Sequence, residues 1–273
     1  MKNFSTKIAA ITGAGSGMGR ALAQSLARQN CHVAISDINV EGLQETADSL
    51  SDTNVTVSQH PLDVSDKQAV MQFAEDVVSH HGQVNMIFNN AGVSVTDSCE
   101  HMTYDNFEWL MNINFWGVIH GTRAFLPFLQ QVDEAHIINT SSIFGTIALP
   151  SQSAYNASKF AVRGYTYALR QELADTHIGV SCVQPGGVKT NIVKTSRYVP
   201  KDNDSLTVEE AAKEFESIAG LTSEQAAEII LTGVRKNKTQ ILVGRDAKFI
   251  ALLERIAPIG YQRLLKRWLA DPL

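Results

Sequence analysis

The chain has 273 residues, of which 44% are apolar, 19% charged and 7% aromatic. This is a globular profile with enough chain for a large core, which excludes disorder, a collagen-like repeat and a disulfide scaffold. Lys and Arg number 23 against 28 Asp and Glu, a net charge of −5, and no segment concentrates cations, which argues against nucleic acid as a partner.

The longest apolar runs, such as Ile8 to Ile11 and Val84 to Phe88, fall far short of the roughly 20 residues of a membrane span. The run after Lys2 and Lys7 breaks at Thr12-Gly13, too early for a signal-peptide core, so the expected location is the cytoplasm. Cys31, Cys99 and Cys182 are far apart, odd in number and without C-x-x-C spacing, which reads as reduced thiols. No HExxH occurs, and the pair His80-His81 falls at the solvated end of an amphipathic helix pattern, so no metal site is expected.

Val- and Ile-rich runs at 7–12, 31–36, 55–59, 84–88, 135–140, 178–183 and 240–243 predict about seven strands. Helical periodicity lies between them. Residues 18–29 put Met18, Ala21, Leu22, Ser25 and Leu26 on one face, and residues 66–80 do so with Ala69, Val70, Phe73 and Val77. Alternating strand and helix predicts an α/β fold: a Rossmann-type, doubly wound parallel sheet with helices on both faces. Length alone allows one domain or two. The pattern runs unbroken from residue 7 to about 183 and closes at Gln240 to Val243, so a single domain over 1–273 is expected. Residues 190–222 interrupt it with polar sequence and one short helical piece, Val208 to Ser217, which reads as a lid over a binding site. A C-terminal extension, about 245–273, carries helical stretches at Ala247 to Ile256 and Tyr261 to Leu269 around Pro258. The second is basic and amphipathic, and packing on the protein body or a partner subunit is expected over membrane contact.

The first strand ends in Thr12-Gly13-Ala14-Gly15-Ser16-Gly17-Met18-Gly19. Neither G-x-G-x-x-G nor the phosphate-loop pattern fits. The spacing T-G-x-x-x-G-x-G permits close backbone approach and offers the free N–H groups of a helix start to a pyrophosphate, although a tight strand-to-helix turn would use the same glycines. Asp37 ends the second strand, where a dinucleotide fold places the acid that accepts hydrogen bonds from the adenosine ribose. A carboxylate there repels a 2′-phosphate. Ile38 and Asn39 follow it and Ser16 precedes Gly17, so NAD is favoured over NADP.

Tyr155 and Lys159 are four apart in a helical segment and so share one face. A phenol is a poor base at neutral pH, and an ammonium beside it favours the phenolate. No G-x-S-x-G surrounds any serine, which argues against a Ser-His-Asp hydrolase.

Taken together, Thr12-Gly13-x-x-x-Gly17-x-Gly19, Asp63-Val64, Asn89-Asn90-Ala91-Gly92, Asn114, Ser142, Tyr155-x-x-x-Lys159 and Pro185-Gly186-x-Val188-x-Thr190 stand in one order along the chain. The sequence thereby resembles the short-chain dehydrogenase/reductase family in its ordinary single-domain, NAD-dependent form. The resemblance implies an enzyme that interconverts a secondary alcohol and a ketone or aldehyde by hydride transfer. Tyr155 would be the general acid/base, and Lys159 would lower its pKa and hold the nicotinamide ribose. Ser142 would hydrogen-bond the substrate oxygen, with Ser141 the competing candidate. Asn114, in a helix, would hold the water that links Lys159 to solvent.

For the cofactor, the resemblance implies Gly13, Ser16, Gly17, Met18 and Gly19 at the pyrophosphate, and Asp63 and Val64 at the adenine. Asn90, Ala91 and Gly92 would pass the adenosine ribose, with one Asn side chain bracing neighbouring strands. Pro185, Gly186, Val188 and Thr190 would lie at the nicotinamide, beside Tyr155 and Lys159. The substrate pocket would use Val93 to Thr96, Ile143 to Leu149 and residues 190–220. The middle segment is apolar and without a cation, so an uncharged, fairly apolar substrate is expected. A homodimer or homotetramer is implied. The competing class is a catalytically silent NAD-binding regulatory or scaffold protein of the same fold, against which the full set Asn114, Ser142, Tyr155 and Lys159 argues.

Overall fold

The computed structural model describes residues 1–198 and 219–263, together with Glu210, Lys213, Glu216 and Ser217. Seven parallel strands form one sheet in the order β3-β2-β1-β4-β6-β7-β9. They are β1 (Ile8–Thr12), β2 (His32–Asp37), β3 (Val57–Pro61), β4 (Met86–Asn89), β6 (Ala135–Thr140), β7 (Ile178–Pro185) and β9 (Gln240–Val243). The central strands β1, β4 and β6 are buried along their whole length, which is why they do not alternate apolar with polar residues; the buried polar members His136, Asn89 and Asn139 are hydrogen-bonded within the fold.

The helices lie on both faces. Leu22 and Leu26 of α1 (Gly17–Ala27), Leu43 of α2 (Val40–Asp48) and Ile230, Leu231 and Val234 of α7 (Ser223–Arg235) pack on one side. Val70, Phe73 and Val77 of α3 (Lys67–His81), Phe125 and Leu129 of α5 (Gly117–Leu129) and Leu169 of α6 (Ser153–Glu172) pack on the other. Each such side chain contributes about 1.5–3 kcal/mol by leaving water. The faces expected from the periodicity of residues 18–29 and 66–80 are the ones that bury. α3 is delimited by Asp66, whose side chain accepts from the Gln68 and Ala69 N–H groups, and by Gly82 at φ +82°.

The chain winds β1, β2, β3 toward one edge and then crosses back to place β4 on the other side of β1. That reversal opens a crevice beyond the carboxyl ends of β1 and β4, where open α/β sheets bind ligands.

Some elements differ from expectation. The third strand is displaced to Val57–Pro61, because pairing of Val33 with Val57 through Asp37 with Pro61 sets its register. A second, two-stranded sheet pairs β5 (Val95–Thr96) with β8 (Arg197–Tyr198), which ties the start of the predicted lid to the strand after β4. The two roots of that segment meet as well: Val188 bridges to Leu221, and the Lys189 N–H donates to the Leu221 carbonyl at 2.9 Å. Of the helical piece Val208 to Ser217, only Glu210, Lys213, Glu216 and Ser217 are described, and they are helical. The tail begins with α8 (Arg245–Ile256). Tyr261 to Arg263 are helical, and the rest of the stretch to Leu269 lies outside the described residues.

His80 is exposed, but His81 is partly buried and shares a 2.8 Å hydrogen bond with the Ser58 hydroxyl of β3. The helix end therefore rests on the edge strand instead of projecting into solvent. Cys31 and Cys182 are buried and Cys99 is exposed, all as free thiols. Among the described residues, no helix is long and apolar enough to cross a membrane.

Candidate active site

The crevice is a cleft of about 370 Å³. It brings together Gly13, Ser16, Gly17, Met18, Asp37, Asp63, Val64, Asn90, Ala91, Gly92 and Thr190 of the residues singled out from sequence.

Its floor is the glycine turn. The Thr12 hydroxyl at the end of β1 accepts from the Asn90 and Ala91 N–H groups at 3.0 and 3.1 Å, fastening the ends of β1 and β4 together. Asn90 Nδ2 donates to the Thr12 and Gly13 carbonyls. Gly13 has φ +67°, and a Cβ there would meet the Ala91 backbone at 2.8 Å, so only glycine fits. A Cβ at Gly19 would fall on the Gly13 carbonyl; this residue serves helix–strand contact and does not line the cleft. Ser16 sits at the N-cap of α1 without a side-chain capping bond, which leaves the first-turn N–H groups facing the cleft for an anion.

The two acids are already engaged by their own loops. Asp37 Oδ2 accepts from the Gly15 N–H at 2.8 Å and Oδ1 from the Asn39 N–H at 2.9 Å. Asp63 Oδ1 accepts from the Ser65 N–H and hydroxyl. Arg20, the cation nearest the glycine turn in sequence, is committed to the Gly42 carbonyl, Glu45 and Thr46.

Beyond Gly92 the cleft meets buried chemistry. A Cβ at Gly92 would lie 3.2 Å from Asn114 Oδ1 and 3.3 Å from Lys159 Nζ. Lys159 is 2% exposed, its ammonium donates to the Thr140 carbonyl at 3.2 Å, and it lies 5.5 Å from the centre of the Tyr155 ring. Among the described residues no carboxylate pairs with it, and burial pulls its pKa down to about 8. Burial pushes the Tyr155 phenol up to about 12, against a hydrogen bond with Ser142 that pulls it down. Desolvation therefore outweighs the Ser142 hydrogen bond, and the phenol stays well above neutrality in the protein alone.

The two candidate serines separate. Ser141 turns inward, its hydroxyl donating to the Lys159 carbonyl at 2.7 Å. Ser142 faces Tyr155 and also accepts from the Phe144 N–H at 3.1 Å as the cap of the short 3₁₀ turn Ile143–Gly145.

Asn114 lies in a helix, but a π-helical turn, Asn112–Trp116, set between α4 (Tyr104–Met111) and α5, the kind of irregularity that recurs at functional sites. Its amide is paired to Val93, accepting from the N–H at 2.8 Å and donating to the carbonyl at 2.9 Å, with a further bond to Ser158. It thus fixes the loop after β4 directly beside Lys159.

Pro185, Gly186 and Val188 do not line the cleft. Val188 is buried where the lid roots meet, while Thr190 reaches the cleft wall. Of the two Asn side chains after β4, Asn90 holds the glycine turn and Asn89 bonds to Asn139 and Thr122 across β6 and α5.

Sequence reasoning missed Trp109 and Ile113, which line the cleft with Ile192 of the 190–220 segment; Arg197 of that segment stacks its guanidinium 3.8 Å from the Trp109 ring centre and donates to Asn106. Trp109 and Ile113 sit on the face of α4 and the π turn that carries Asn114, so the position of Asn114 was their one signal.

The short chain dehydrogenase family model matches residues 7–200, and the chain belongs to this family of oxidoreductases. It is 42% identical to the Mycobacterium tuberculosis protein designated oxidoreductase SadH, over 97% of this chain and 96% of that one. It is 30% identical to the C alpha-dehydrogenase of Sphingobium sp., over 95% of this chain and 89% of that one. A short-chain dehydrogenase/reductase from Burkholderia phymatum, solved in complex with NAD, superposes with a TM-score of 0.88 at 29% identity, covering 100% and 99% of the two chains.

Proposed function

We propose that the chain is a single-domain, NAD-dependent dehydrogenase that interconverts an uncharged, fairly apolar secondary alcohol with its ketone or aldehyde. The observation that carries this reading is the buried Lys159 ammonium, unpaired with any described carboxylate, beside a Tyr155 hydroxyl hydrogen-bonded to Ser142, at the end of a cleft floored by an uncapped helix start.

The residues present fit a dinucleotide. The N–H groups of Gly17 and Met18 suit its pyrophosphate, and Asn90 Oδ1 is buried without a partner where a ribose hydroxyl could donate. Asp37 suits the adenosine ribose and disfavours a 2′-phosphate, and Arg20 is engaged by the Gly15 and Gly42 carbonyls and by Glu45. Bound there, NAD supplies the hydride acceptor. Tyr155 takes the hydroxyl proton of the alcohol, or returns it to the carbonyl. Ser142 holds the substrate oxygen through its hydroxyl, Lys159 favours the phenolate and holds the nicotinamide ribose, and Asn114 keeps the β4 loop against Lys159 for proton exchange with solvent.

The apolar substrate class rests on the walls. Val93, Trp109, Ile113 and Ile192 line the cleft, and Phe144 meets the Tyr155 ring edge-on at 6.1 Å. The nearby cation, Arg197, is occupied by Trp109 and Asn106. The Sphingobium relative is likewise named a dehydrogenase. A homodimer or homotetramer in the cytoplasm belongs to the same reading. The test is NADH formation or consumption over a panel of apolar secondary alcohols and ketones, with NAD and NADP affinities measured alongside. Turnover with NAD and at least about tenfold weaker NADP binding is expected; no turnover, or equal NADP binding, contradicts it.

A further inference from the structure

The residues that follow β9 belong neither to the cleft nor to the catalytic group, yet they hold two loops of the site. Asp246, in the first turn of α8, points its carboxylate into a nest of glycines. A Cβ on Gly186, Gly187 or Gly244 would meet that carboxylate. Gly244 has φ +116°, a conformation that turns the chain back so that Asp246 faces the loop leaving β7. The Gly187 N–H donates to Asp246 Oδ2 at 2.6 Å, a short charge-assisted bond on the backbone of the loop that ends in Thr190. The adjoining Gly186 N–H donates to the Val243 carbonyl at 2.9 Å, so the loop is held from both sides of Gly244.

Further along, Tyr261 is 5% exposed, and its hydroxyl accepts from the Ala148 N–H at 3.0 Å. Ala148 lies in the apolar loop Ile143 to Leu149. The near half of that loop has its own anchors, Arg163 to the Gly145 carbonyl at 3.1 Å and Gln184 to the Thr146 hydroxyl at 3.0 Å. The Leu149 carbonyl is held by Asn156. The Ala148 N–H is held by the tail.

We propose that the segment Arg245 to Tyr261 is a strut of the active site, in which Asp246 and Tyr261 are positioning residues: Asp246 fixes the nicotinamide-side loop Pro185 to Thr190, and Tyr261 fixes the substrate-side loop Ile143 to Leu149. One segment, α8 and the turn after it, thereby references to each other the two loops that flank the reacting groups. The tail is then part of what determines substrate fit, which the sequence left as packing. The kinetic arm of this proposal rests on the dehydrogenase reading above, and the exchange arm does not.

The test uses the full chain as Asp246→Asn and Tyr261→Phe. Amide hydrogen exchange is followed in peptides covering 143–149 and 185–190. Tyr261→Phe is expected to speed exchange in the first peptide by about three- to tenfold and leave the second unchanged, the loss of one neutral hydrogen bond. Asp246→Asn is expected to do the reverse, by about tenfold or more, the loss of a charge-assisted bond. With a turned-over substrate, Tyr261→Phe raises the KM of that substrate and Asp246→Asn raises the KM for NAD, with kcat held within about twofold and melting temperatures close to the parent. Exchange unchanged in both peptides, or rising equally in both for each variant as the melting temperature falls, overturns the strut. If exchange responds as stated while the parent protein turns over nothing, the strut stands and the dehydrogenase reading fails.

Discussion

The cleft proposed for the nucleotide is lined by backbone and by side chains already held by their own loops: the uncapped start of α1, the Gly13 turn fastened to Ala91, and the carboxylates of Asp37 and Asp63. Behind Gly92, the group proposed for the reaction consists of buried side chains: Lys159 at 2% exposure, Asn114 fully buried, Ser142 against Tyr155. The first costs the fold little, because a helix start has spare N–H groups wherever it occurs. The second places a cation in the core with no described carboxylate to pair it, and that costs stability. On the proposed function, binding rests on turns and chemistry on a buried cation.

Lys159→Met tests that contrast most severely. Turnover is expected to fall by about 10³-fold or more, while the protein becomes more stable at pH 7 by on the order of 1–3 kcal/mol. The sign follows from the folded pKa of about 8 against an ordinary 10.5: folding disfavours the charged form, so the penalty is full below pH 8, shrinks as pH rises toward 10.5, and vanishes above it. Urea unfolding of both proteins at pH 7 and pH 10 reads this out. A less stable Lys159→Met at pH 7 would break the contrast.

A smaller effect separates the cleft from the body of the sheet. His136 is fully buried in β6, with Nε2 hydrogen-bonded to Ser181 and Nδ1 without a partner, and burial pulls its pKa from 6.5 to about 3. His81, against Ser58, is lowered to about 4, first by burial and then by the neighbouring histidines. Both folded pKa values are depressed, so their stability is intact above pH 6.5 and is lost as pH falls below it, by up to about 1.4 kcal/mol per pH unit for His136. Urea midpoints are expected to decline from pH 6.5 to 5 in the parent and to decline less in His136→Gln, with NAD affinity flat over the same range. An equal decline in both proteins would remove His136 from the account.

The two regions also differed in how far the sequence revealed them. The sheet was legible because strands buried on both faces must be continuously apolar, and the glycine turn because a backbone approach leaves glycine no substitute. Tyr155 and Lys159 were legible because helical spacing is local. What escaped depends on contacts between distant segments. The register of β3 follows from its pairing with β2, and the stack of Arg197 on Trp109 joins the lid root to α4. The π turn at Asn114 has the same apolar periodicity as an α-helix over so few residues. Asp246 belongs to none of the sequence motifs, and only the packing of three glycines around it points to a role. The choice between Ser141 and Ser142 needed the direction of each hydroxyl, which strand alternation alone did not settle.

The central proposal, that binding rests on the cleft and chemistry on the buried group behind Gly92, is tested most directly by Tyr155→Phe, titrated with NAD and assayed with the best substrate of the panel. The expected result is an NAD dissociation constant within about twofold of the parent and turnover lower by about 10³-fold or more. Turnover retained within tenfold, or NAD binding lost together with it, would contradict the account.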